Sequence, residues 1–330
     1  HHALLGAEGF RRFQLGRYLQ AVLGESGQDR LRELYTDDTD PITRFLRPLL
    51  AEAELVETHP APAWRPPPCA FDEAPGHRLT TILTHPLSKP TLLRLFALSV
   101  SLGLTLRVLG AGSPGGRPIT LLLPHTIPRG RRPLREEAVQ CFQRGVDGLY
   151  RRLADLLPEH PRAAELWAVP EERKGARLLT APGGPDLAAA APGLLAAARD
   201  AKTSIYWPEQ FVMPLARRSG CLLPKSRRAG WKPYMVLTPD HLEALVLMYV
   251  PPGTRPKPWR ALWAEVQAEL GIVIGAGGHA DAERLRAAGV LHVDMQQLSQ
   301  NSETLLSRAV ARGVARRLPD SGAEAGGELT

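Results

Sequence analysis

The sequence predicts a mainly α protein with small β-hairpins, an α+β chain of more than one compact unit. Three observations predict it. At 330 residues the chain exceeds what one ordinary core serves. Only 6% of its residues are aromatic, against a large β-sandwich. Its long apolar stretches fall mostly at helical spacing. A hydrophobic share of 44% and a charged share of 23% are those of a folded chain over most of its length.

Residues 8–56 read as two or three helices. Phe10, Phe13, Leu19, Val22 and Leu23 form one stripe, and Ile42, Phe45, Leu46, Leu49, Leu50 and Ala53 another. Asp40 and Pro41 supply an N-cap and a first-turn proline, so the acidic trio Asp37, Asp38 and Asp40 reads as capping and dipole compensation, not a metal site. This N-terminal helical region, 1–58, gives way to a Pro-rich linker, 59–76, with Pro60, Pro62, Pro66, Pro67, Pro68 and Pro75. Residues 77–167 form a second unit: an apolar helix over Leu87–Leu102, a hairpin of strands Leu104–Leu109 and Ile119–Leu123, and a long amphipathic helix over Leu134–Leu157. An Ala/Gly/Pro-rich connector, 168–204, carries one weak helix near Ala188–Ala198. The C-terminal unit, 205–319, holds a short helix over Glu209–Ser219, a basic loop, a strand at Tyr234–Leu237 and a helix over Asp240–Tyr249. Next comes a helix marked by Trp259, Leu262, Trp263, Val266 and Leu270, a strand at Ile272–Ile274, helices near Ala280–Ala288 and Gln296–Arg312, and a polar tail, 320–330.

The formal charge is +7 and the isoelectric point about 9.6, which biases the partner towards phosphates or another anionic surface. Thirty-five of the 41 basic residues are arginine, whose planar fork suits bidentate phosphate or guanine contacts, though an excess of Arg, Ala, Gly and Pro is also what a GC-rich genome supplies. Cys69, Cys141 and Cys221 are odd in number and lack a C-x-x-C spacing, so neither a disulfide framework nor a zinc ribbon is expected. We read no run approaching the roughly 18 apolar residues of a membrane span and no signal peptide before the first helix. The expectation is a reducing, cytoplasmic location without membrane attachment. The opening His1-His2 is set aside as a tag-like remnant.

The richest stretch is 208–250. A helix ends over Leu215–Ser219 at Gly220, Cys221-Leu222-Leu223 forms a strand, and Lys225 to Lys232 forms a basic loop. Tyr234-Met235-Val236-Leu237 returns, and Thr238 with Pro239 caps the next helix. This pattern resembles the late part of a winged-helix DNA-binding domain, over about 45 residues of 330. The resemblance implies a winged-helix-like C-terminal unit whose wing meets nucleic acid. It departs from the family where Pro208 and Pro214 shorten the would-be recognition helix, so the shape is expected to work without major-groove reading. Within the wing, Lys225, Arg227, Arg228 and Lys232, with Trp231 among them, put four positive charges in eight residues, suited to straddling a phosphate backbone.

A second cluster, Arg129, Arg131, Arg132 and Arg135, lies at the start of the long helix, whose backbone donors add to an anion site while its dipole opposes the side-chain charges. Arg308, Arg312, Arg316 and Arg317 fall in the last turns of the final helix and read as favourable dipole placement. Gly110, Gly112 and Gly115 satisfy G-x-G-x-x-G but precede a strand. Gly275 and Gly277 after Ile272-Val-Ile come closer to a dinucleotide turn, with Asp294 as its acid, yet too little chain follows. The scattered histidines, His59, His77, His85, His125, His160, His241, His279 and His292, show no metal spacing; most are expected at surfaces or caps, while His77 and His85, or His125 with Arg129, could meet acids in three dimensions as a composite nuclease or hydrolase site. No Walker A motif, nucleophile elbow or kinase set appears. The expectation is a non-enzymatic nucleic-acid-binding accessory subunit of a prokaryotic multiprotein complex, for DNA processing or anti-phage defence. It has no cofactor or metal, DNA as partner mainly through its backbone, and other protein subunits beside it. The alternatives are a protein-binding scaffold and a winged-helix transcriptional regulator.

Overall fold

The computed structural model describes residues 15–36, 74–113, 118–125, 132–156, 208–225, 232–319 and 322–326. These residues are mainly helical, with nine helices and a few short strands among them. The acidic trio, the Pro-rich segment before Ala74 and the Ala/Gly/Pro-rich connector lie outside the described residues.

Helix α1 (Leu15–Thr36) kinks at Gly24, whose φ of 61° and ψ of −175° are non-helical. It packs on α2 (Ala74–Leu83), which begins inside the expected linker and carries Pro75 in its first turn, where a missing N–H is harmless. Helix α3 (Lys89–Gly110) is a correction to the expected hairpin, because Leu104–Leu109 continues the helix instead of forming a strand. Two of its buried polar residues bond back to its own carbonyls: Ser99 Oγ donates to Leu95 O at 2.9 Å and Thr105 Oγ1 to Ser101 O at 2.8 Å. By length and composition α3 is long and apolar enough to cross a membrane, where the sequence reads as holding no such run. It lies instead against α2, α4 (Arg132–Leu156), α5 (Pro208–Ser219) and α6 (Pro239–Tyr249), with Leu92, Leu95, Leu102, Leu106 and Leu109 buried.

With Leu104–Leu109 helical, strand β1 (Leu121–Leu122) has no hairpin partner. It pairs in parallel with β5 (Ile272–Val273), Leu121 opposite Ile272 and Leu122 opposite Val273. Gly271 makes this possible. It ends α7 (Trp259–Leu270) with a left-handed φ of 72°, and any Cβ there would collide with the Ile119 carbonyl. Strands β2 (Leu222–Leu223) and β3 (Tyr234–Met235) form an antiparallel hairpin. A parallel bridge between His125 and Leu237 links it to β1.

After β5 come α8 (His279–Ala287) and α9 (Met295–Ala311). Then β4 (Lys257–Pro258), β7 (Ala323–Ala325) and β6 (Ala315–Arg317) build a three-stranded antiparallel sheet in that spatial order. The expected polar tail therefore contains a strand: Ala325 is fully buried, pairing with both Lys257 and Ala315. Residues on either side of the connector, including Leu95, Leu122, Phe142, Leu245, Val273 and Leu305, belong to one buried apolar cluster.

Candidate nucleic-acid interface

The hairpin β2–β3 is anchored by its apolar strands. Cys221, Leu222, Met235, Val236 and Leu237 are essentially inaccessible, and Val236 N–H donates to Cys221 O at 2.8 Å. Helix α5 enters through Gly220, which takes a φ of 89° that a side chain would resist. Pro214 does not break α5; the helix runs twelve residues, from Pro208 as its first residue through Pro214, and packs against α3. Arg217 Nε donates to Pro224 O at 3.3 Å and fixes the start of the loop. On the far side Thr238 caps α6, its Oγ1 accepting from His241 N–H at 3.2 Å.

Buried strands lead into and out of the basic segment between them. Lys225 and Lys232, at its two ends, are both exposed. Arg227, Arg228 and Trp231 lie outside the described residues, as do Arg129 and Arg131. Arg132 is the first residue of α4, and the α4 backbone packs against β3 and β1. The Arg135 guanidinium sits over the Tyr234 ring, 5.5 Å from its centroid. Burial pushes the Tyr234 hydroxyl up from its ordinary value, and the Arg135 charge partly offsets the shift. Arg135 of the second basic group therefore reaches a strand residue about 100 positions further along the chain. The sequence offered no signal for that contact, since it depends on how α4 packs.

The third arginine group is differently placed. Arg312 follows α9 and pairs with Asp240 at 2.9 Å and Glu243 at 3.2 Å. Arg316 and Arg317 are on β6, not in the final helix, and pair with Glu324 and Glu303. These ion pairs tie α9, α6 and the terminal sheet together.

The glycine loop after β5 is occupied from within. The Asp281 carboxylate accepts from Gly275 N–H at 3.1 Å and Gly277 N–H at 3.0 Å, in the position a phosphate would take, and Arg284 pairs with it at 3.0 Å. Asp294, the would-be ribose acid, caps α9 by accepting from the N–H groups of Gln296 and Gln297. Changing Asp281 to alanine is expected to cost about 2 kcal/mol in urea unfolding, because a buried and a half-buried donor lose a charged acceptor. Added phosphate should restore part of that loss; an unchanged midpoint would show that the carboxylate does not hold the loop.

Three histidines expected at surfaces or caps are internal: His85, His125 and His241. His85 Nε2 donates to Leu247 O at 3.0 Å, at the edge of a cleft of about 930 Å³ bordered by Val250, Pro251, Thr254, Ala315 and Gly326. Sequence reasoning missed Asn301. Fully buried on α9, it accepts from the His125 backbone N–H at 2.8 Å and, through the same Oδ1, meets His125 Nδ1 at 2.8 Å. Its Nδ2 donates to Ile274 O at 3.0 Å and reaches Leu123 O at 3.4 Å. One amide thus fastens α9 to the ends of both parallel strands; the sole signal was a lone Asn within an inward stripe of Leu298, Ser302 and Leu305.

Cys141 and Cys221 are free and buried, and burial pushes both thiols up to about 11. Both pack within the apolar cluster. Among the described residues no group of His, Cys, Asp or Glu is arranged to hold a metal ion. No known protein family, curated protein or solved structure matches the chain.

Proposed function

We propose that this chain is a non-enzymatic nucleic-acid-binding accessory subunit, holding the phosphate backbone at the β2–β3 wing and the N-terminus of α4 while another protein performs the chemistry. The observation that supports the reading is the stacking of Arg135 on Tyr234, a residue of the strand that follows the Lys225–Lys232 segment. Helix, strand, basic loop, strand and capped helix follow one another over 208–249 as in a winged-helix domain. Backbone contacts by such a face are additive and independent of sequence.

Duplex binding should therefore weaken steeply with salt, the log–log slope changing by about 0.9 for each phosphate contact. Replacing Lys225, Arg227, Arg228 and Lys232 with alanine is expected to flatten that slope by about three to four, and Arg135→Ala by about one more. Fluorescence anisotropy on a labelled duplex across a salt series reads both. Salt-insensitive or absent binding sinks the proposal, and a chain that ignores duplex but co-purifies in fixed stoichiometry with a protein would be a scaffold instead.

A further inference from the structure

The cleft of about 930 Å³ beside His85 is of a size that takes a small molecule, for which roughly 300–1,000 Å³ is usual. Three segments line it: the α2–α3 turn at His85 and Pro86, the C-terminal end of α6 with the loop that follows, and the chain entering β6. None of them belongs to the β2–β3 hairpin or to α4. The chemistry of the lining is one-sided. Pro86, Pro251, Pro252 and Pro256 have no N–H to give. Thr254 gives both its N–H and its hydroxyl to Pro251 O. The N–H groups of Gly313, Val314 and Gly326 go to Val310 O, Ala309 O and Val314 O. The Arg316 guanidinium is matched by Glu324, to which its Nε and Nη2 both donate. An anion, or any ligand recognised through its acceptors, meets few donors here.

What the lining keeps free is an acceptor. His85 is 5% exposed, and its Nε2 lies 3.0 Å from Leu247 O. A carbonyl only accepts, so Nε2 carries the ring proton. Burial holds the pKa of His85 below its ordinary value, which leaves the ring neutral at pH 7 and Nδ1 a bare lone pair. Nδ1 has no partner among the described residues, yet it is not sealed in as His241 Nε2 is. Val246, Leu247, Val250 and Val314 add apolar lining to that of the prolines. We propose that the cleft binds a neutral, largely apolar molecule bearing one N–H or O–H, which donates to His85 Nδ1. Such a donor completes an acceptor that the protein leaves unmade in a nearly dry place, and the valines and prolines cover the apolar body. Phosphates and nucleotides are excluded by the same inventory, so this site is independent of the nucleic-acid interface.

The test is calorimetric titration of the full chain with indole and with N-methylindole, the same ring without its donor, alongside histidine nitrogen NMR. Indole is expected to bind about tenfold more tightly than N-methylindole, the size of one hydrogen bond to a buried group. Indole should also move one histidine Nδ1 resonance upfield, the resonance that His85→Phe lacks, and N-methylindole should move it far less. Indole-3-acetate, which adds a carboxylate, should bind more weakly than indole. Thr254→Trp, at an exposed position of the rim, should weaken both neutral rings together and remove the shift, so the site is tested even where His85→Phe does not fold. Equal affinity for the two rings, tighter binding of the carboxylate, or no binding of any of the three at millimolar concentration overturns the proposal. So does indole binding that Thr254→Trp leaves unchanged.

Discussion

Arg78→Met is expected to destabilise the protein by about 3 kcal/mol, because the substitution strands a half-buried carboxylate. Arg78 Nε and a terminal guanidinium nitrogen donate to the two oxygens of Glu269 at 2.9 and 2.6 Å, a bidentate pair joining α2 to α7. The same guanidinium lies 4.3 Å from the Tyr249 ring centroid and 3.6 Å from Glu265. Lys257 completes the set, donating to both Glu265 oxygens at 2.8 Å and to Tyr249 O at 3.2 Å. Against the burial that would raise it, Arg78 holds the Glu269 carboxyl below its ordinary value. Removing both partners should be milder than removing one, so Arg78→Met/Glu269→Leu is expected to recover most of the loss. Urea midpoints of these two variants, of Glu269→Leu and of the wild type decide this; an Arg78→Met variant within about 0.5 kcal/mol of wild type would mean the pair is solvated and idle.

The second large effect depends on pH and comes from two buried groups with opposite preferences. Glu137 of α4 is almost wholly buried, its Oε1 accepting from Asp294 N–H at 3.2 Å while Oε2 has no partner. Burial, with a smaller contribution from the Asp294 charge, pushes its pKa up from 4.5 to about 7. The folded state thus keeps a proton that the unfolded chain releases, and stability falls as pH rises from 4.5 to 7, by about 3 kcal/mol in all. His241, fully buried on α6, is pushed by burial from 6.5 down to about 4. There the unfolded chain binds the extra proton, so stability falls as pH drops from 6.5 to 4. Between pH 4.5 and 6.5 the two slopes oppose, leaving the wild type nearly level. Glu137→Gln keeps an acceptor for Asp294 N–H and removes one slope. Its urea stability is expected to climb by about 3 kcal/mol across that interval, exceeding wild type most at pH 8. Parallel curves for the two proteins would show that Glu137 ionises normally.

Wherever an element's own periodicity decided its burial, the sequence was readable. The Trp259–Leu270 helix, the long helix starting near Leu134, α8 and α9 formed within a residue or two of their expected bounds. The hairpin of 221–237 formed where Gly220 and the Thr238-Pro239 step punctuate it. Leu104–Leu109 failed for a specific reason. Its alternation of Leu with Thr and Arg imitates a half-exposed strand, yet Thr105 is buried and satisfied by its own helix. That error left β1 with the wrong partner, since a two-residue strand carries no address for a mate on the far side of the chain. The contact of Arg135 with Tyr234 was not legible, and neither was Asn301, whose role exists only once three elements surround it.

The parallel pairing of β1 with β5 also sets a timetable for synthesis. Leu121 and Leu122 leave the ribosome about 150 residues before Ile272 and Val273, an interval of roughly 8–30 s at ~5–20 residues per second. Until β5 arrives, the amide and carbonyl edge of β1 and the apolar sides of α3 and α4 have no permanent cover. The nascent chain therefore passes through a long window in which its first half can associate wrongly, and chaperone demand should depend on how fast the C-terminal third is translated. Truncation anywhere before Gly271 removes the mate of an already synthesised strand, so the second half of this chain is a folding requirement of the first.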